Sequence, residues 1–86
     1  MGDKYEKMKW ELFFEIDRTA IEYLSAVDVD QKYNDIYSRM MVNYKKEQLD
    51  SLVRIMEKSS LTDELLSFFS YSHSRAERFK EVGIIH

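Results

Sequence analysis

The chain is expected to fold as an all-α domain, a small bundle of three or four helices spanning residues 1–86. Three observations predict this. Proline is absent and glycine occurs only at Gly2 and Gly83, so the interior lacks the usual punctuation of hairpins and tight loops. Apolar residues recur at three- and four-residue intervals through most of the chain, the spacing of one helical face. A chain this short supports one core, burying only about 60% of its unfolded surface. The expected helix content is above about 60%, with no sheet.

The first helix is read from Lys4 to Val27, with Tyr5, Met8, Leu12, Ile16, Ala20, Tyr23 and Val27 on one stripe. Trp10, Phe13, Phe14, Ile21 and Leu24 widen the stripe beyond what one neighbour covers. A turn is expected at about 26–30, where Ser25, Asp28 and Asp30 compete for backbone hydrogen bonds and Asp28 or Asp30 would cap the next helix. The second segment carries Tyr33, Ile36, Tyr37, Met40, Met41 and Tyr44, then the polar run "NYKKEQ", then Leu49, Leu52, Val53, Ile55 and Met56. A break or kink near Asn43 to Glu47 is favoured over one continuous helix. The third starts at "SSLTDELL", with Ser60 or Thr62 as cap and Asp63 and Glu64 in the first turn. It continues through Leu65, Phe68, Phe69, Ser72, Ala76 and Phe79, and Gly83 ends it. Leu12, Ile16, Leu52, Ile55 and Phe68 are the expected core. Ile84 and Ile85 are free to dock on the bundle, to stay loose or to cover a partner.

Composition narrows the function classes. Without cysteine there are no disulfides, thiolate metal sites or thiol catalysis, and a cytoplasmic location fits best. The N-terminal stretch lacks the basic-then-apolar layout of a signal peptide. No apolar run reaches the roughly 20 residues of a membrane span. The net charge of −3 is uneven, with eight acidic and four basic residues in 1–31. Direct nucleic-acid binding is disfavoured, because it relies on clustered lysine and arginine.

Chemistry-bearing groups are sparse. His73 and Glu77 share a helix face, but a metal site needs three or four ligands. Ser72 and Ser74 flank His73 without a glycine-rich elbow or an anion hole. Glu11, Glu15, Asp17 and Glu22 read as a solvated face, with an acidic surface for a basic partner as the minority reading. Met40, Met41 and Met56 with the tyrosines read first as core filling and second as an interface. No enzyme, metal or cofactor is expected.

The order "DIYSRM", "LDSLVRIMEKS" and "LTDELLSFFSYSHSRAE", from about Asp35 to Glu77, resembles the Hha/YmoA family of small helical bacterial proteins. The resemblance implies an all-helical fold and modulation of gene silencing by binding the nucleoid protein H-NS. The family's aromatic, histidine and Arg-Ala-Glu elements match Phe68, His73, Arg75, Ala76 and Glu77. Two departures stand out. The acidic residue that usually precedes the histidine is replaced by Ser72, and the first thirty residues have no counterpart.

The resulting expectation is a non-enzymatic, protein-binding regulator, an H-NS-like nucleoid protein being the partner that the resemblance implies. Phe69, His73, Arg75, Glu77 and Arg78 form its recognition helix, with Arg75 and Arg78 as exposed charges that the fold does not need. The alternative is a phage or mobile-element inhibitor that blocks a nucleic-acid-processing enzyme through its acidic first helix. Self-association is left open.

Overall fold

The computed structural model describes residues 2–69 and 72–84. It contains α1 (Gly2–Tyr33), α2 (Ile36–Lys58), α3 (Thr62–Phe69) and α4 (His73–Glu81). Of the described residues 89% are helical, and none is in a strand. The two long helices form an antiparallel hairpin, as Lys45–Glu22 at 3.2 Å and Ser38–Asp30 at 3.3 Å require. The short helices pack on one end of it, giving an elongated molecule of 48 × 24 × 18 Å.

The turn lies later than 26–30. Helix α1 runs through that stretch because Ala26 is buried, and because Asp30 accepts from Ser38 Oγ and pairs with Arg39 of α2 at 3.1 Å. The chain reverses at Asn34, whose φ of 49° is the left-handed conformation asparagine tolerates. Asp35, rather than Asp28 or Asp30, then caps α2. Its carboxylate accepts from Ser38 N at 2.8 Å while Ser38 Oγ accepts from Asp35 N at 3.2 Å, a reciprocal capping box.

The chain does not break at 43–47, and α2 is one helix from Ile36 to Lys58. Its polar run causes no break because those residues face solvent, apart from the half-buried Lys45 that reaches Glu22. Conversely, the single third helix is two. Thr62 is the first residue of α3 rather than a cap. Ser72 starts α4, its Oγ accepting from Arg75 N at 3.4 Å, an N-cap in extended conformation. Local hydrogen bonding by this serine outweighs the continuous apolar spacing.

Two helix ends share one geometry. After α4, Ile84 N donates to Phe79 O at 2.9 Å and Gly83 N to Lys80 O at 3.2 Å, with Gly83 at φ 86°. After α2, Leu61 N donates to Met56 O and Ser60 N to Glu57 O, each at 3.0 Å, with Ser60 at φ 57°. Both are Schellman ends, and only the first has the glycine that such a left-handed position favours.

Phe13, Ile16 and Ala20 of α1, Leu49 and Met56 of α2, and Leu61, Leu65, Phe69 and Phe79 form one core cluster. Phe69 sits at its centre, edge-on to Phe68 and Phe79. Ile16 is buried as expected, and Leu12, Leu52 and Ile84 pack against the cluster partly buried. Ile55 and Phe68 are not core, being 51% and 40% exposed. Phe68 instead covers Trp10, with ring centroids 4.2 Å apart. Ile85 and Tyr71 fall outside the described residues.

Candidate protein-binding surface

The five residues assigned to a recognition helix divide. Phe69 is 1% exposed and belongs to the core, so no partner can reach it in this fold. Arg75 stacks over the Phe69 ring, 4.8 Å from its centroid, and its Nε donates to Asp17 at 3.2 Å. Arg78 donates from Nη2 to the other Asp17 oxygen at 2.8 Å. These arginines therefore hold α4 on α1 instead of standing free. His73 and Glu77 remain exposed on the outer side of α4. Among the described residues, no three of His, Cys, Asp and Glu gather as a metal-ligand group.

Asp17 likewise departs from the solvated-face reading, since it is 7% exposed beneath the two arginines. Glu15 pairs with Arg18, and Glu22 with Lys45. Lys9, buried on the same helix, bridges Glu64 of α3 and Glu6. The hydrogen bonds to Glu64, and then to Glu6, raise its pKa above the ordinary lysine value. Much of the acidity of α1 is thus matched within the chain.

The surface that sequence reasoning underweighted is on α2. Ser38, Val42, Lys45, Leu49, Leu52 and Met56, at alternating intervals of four and three, form an inner seam that is buried or half-buried. One residue earlier at each step run Tyr37, Met41, Tyr44, Gln48, Ser51 and Ile55. A one-residue offset turns this second seam about 100° around the helix. All six are exposed and none is charged. Tyr37 is 79% exposed and Tyr44 55%, although both are large and apolar for most of their surface. The signal for this was present in the sequence as two interleaved heptad patterns on one helix.

Two apolar grooves border the outer seam on its α1 side. Near the hairpin tip, Ile21, Glu22, Ser25, Ala26 and Val29 of α1 and Ser38 and Met41 of α2 line a groove of about 300 Å³. At the other end, Tyr5, Met8, Lys9 and Leu12 with Ile55, Ser59 and Leu61 line one of about 240 Å³. Tip residues of both long helices lie outside the core cluster, which reaches no further than Ala20 on α1 and Leu49 on α2.

No family model, curated protein or solved structure matches the chain. Among the described residues, no helix is long and apolar enough to cross a membrane.

Proposed function

We propose that the chain is a non-enzymatic regulator that acts by binding protein, with the outer seam of α2 and its two grooves as the contact surface. The observation that carries this reading is an uncharged, solvent-facing heptad seam running nearly the length of α2. Large apolar residues grouped on an exposed face, as Tyr37, Met41 and Tyr44 are here with Ile55 further along, mark interaction sites. Tyrosine and methionine, which dominate it, are enriched at interfaces.

The narrower form, a Hha-like modulator of an H-NS-like nucleoid protein, rests on the resemblance over Asp35 to Glu77. A cytoplasmic location goes with it. His73 and Glu77 are then the members of the original recognition set that are free to meet the partner. The inhibitor alternative has less support, because Glu15, Asp17 and Glu22 are engaged inside the chain.

Calorimetric titration of the purified oligomerisation region of an H-NS-type protein tests this, with wild type and with Tyr44→Asp. Wild type should bind. The variant, shown by circular dichroism to keep its helix content, should bind at least about tenfold more weakly, or ~1.4 kcal/mol. No binding by wild type removes the nucleoid reading, and equal binding by the variant removes the seam as its contact surface.

A further inference from the structure

We infer that the outer seam of α2 is occupied by a second copy of this chain, in an antiparallel two-fold dimer. This rests on the reading of that seam as a protein-binding surface, and a second copy seated there competes with any other partner for the same residues.

The pattern of the seam is self-complementary. When the second α2 runs antiparallel with the two-fold axis near Lys46, Tyr37 faces Ile55 of the second copy, Met41 faces Ser51 and Tyr44 faces Gln48. All six positions are then matched, and each layer joins a large residue to a smaller or polar one. Isologous contact requires one surface to fit itself. A charged seam would repel its own image, whereas this one carries no charge. Gln48 already donates to the Tyr44 hydroxyl within one chain, at 3.4 Å. The dimer brings a second such pair alongside, a polar layer of the type that fixes register in helical seams.

The same register puts Tyr37 of the second copy at the groove beside Ile55, where Tyr5 and Met8 are 54% and 63% exposed. The Ile55 of the second copy reaches the tip groove beside Tyr37 and Met41 in turn. The large apolar residues on the surface of the seam and its groove rims are each 44–79% exposed, the surface from which a standard interface of roughly 800 Å² per partner would be drawn. One flank opposes the arrangement, since Glu47 approaches its own image.

Sedimentation equilibrium of the full chain, from micromolar to near-millimolar concentration, reads the association directly. The expected mass is twice the 10.4 kDa of the chain. Tyr44→Asp should weaken the dimer about a hundredfold, as loss of a central anchor does, while Glu47→Gln should tighten it. Because the chain has no cysteine, engineered thiols report register without interference. The Tyr37→Cys/Ile55→Cys double variant should form an intermolecular disulfide under mild oxidation. Each single variant should not, as residues 18 apart lie about 27 Å from each other along a helix. Self-cross-linking of Tyr37→Cys alone would overturn the antiparallel register. A wild type that stays monomeric at the highest concentration would overturn the dimer. If that monomer still binds the H-NS-type region through Tyr44, the protein-binding reading survives and only the second copy is wrong. If the dimer forms but nothing of the H-NS type binds, the second copy stands and only the nucleoid partner is wrong.

Discussion

Arg78 Nη2 lies 2.8 Å from Asp17 Oδ1, joining residues 61 apart in sequence. Arg75 fills the second oxygen, so a single carboxylate holds α4 against α1. Asp17 is nearly buried, and the Arg78 side chain is 18% exposed. Removing the carboxylate leaves a mostly buried guanidinium without its anion. Asp17→Ala should therefore cost ~2–3 kcal/mol, while Arg75→Ala, at a 40% exposed side chain, should cost under ~1 kcal/mol. Urea titrations of the two variants check this. Equal small losses would mean that the clamp is ornamental and that α4 is held by its apolar contacts, Phe79 first among them.

Helix phase on α2 is testable at adjacent residues. Met56 is fully buried and Ile55 is 51% exposed. Met56→Ala should lose ~2–5 kcal/mol, and Ile55→Ala, measured at a concentration where the chain is monomeric, within about 0.5 kcal/mol of wild type, as for surface positions. Reversed magnitudes in denaturant titration would put the outer seam inside.

Ser60 holds a left-handed conformation that costs an L-residue roughly 1–2 kcal/mol. Ser60→Gly should raise stability by ~0.5–1 kcal/mol, the remainder being lost to the greater freedom of glycine in the unfolded chain. Gly83→Ala, at φ 86° and with open space around its Cα, should do the opposite through backbone strain alone. Thermal melts of both variants decide it, and a destabilised Ser60→Gly would contradict the end geometry of α2.

The Asp35 carboxyl is held below the usual carboxylate range, chiefly by the Ser38 backbone N–H and then by the Ser38 hydroxyl. A lowered folded-state pKa means that this contribution is present above the unfolded value of about 3.9. It is lost as pH falls through the lower folded value. Asp35→Ala should melt earlier than wild type at neutral pH, and the gap should close in acid. Lys9 carries the opposite sign: its pKa is raised, so its contribution is full below the unfolded value of about 10.4 and disappears as pH rises through the folded one. A Lys9→Met variant should thus differ from wild type at neutral pH and converge with it in strong alkali. A gap that is independent of pH would sink either assignment.

Helical periodicity and the lack of proline sufficed for the class of fold, and Gly83 for its last helix end. The errors have physical causes. The chain was expected to turn at Asp28 and Asp30 because aspartate breaks helices locally, but Asp30 is satisfied by Ser38 and Arg39 across the hairpin, a tertiary contact no local rule contains. Ile55 was placed inside because α2 carries two apolar stripes one residue apart, and periodicity alone does not choose between them. Arg75 and Arg78 looked like free surface charges because their acceptor is at residue 17, far away in sequence. The exposed seam was visible as a set of residue types, yet its exposure followed only from where α3 and α4 come to rest.

Those short helices leave the hairpin tip with two layers where the other end has more. Backbone amides around Val29 and Val42 are accordingly expected to exchange with solvent deuterium through local opening, well ahead of those near Ile16 and Leu49, which wait for global unfolding. Anything that seats against the outer seam would slow the local opening at the tip most, and would slow the other end through the global stability that binding adds. Protection factors along α1 and α2 can therefore map an occupant's footprint before its identity is known.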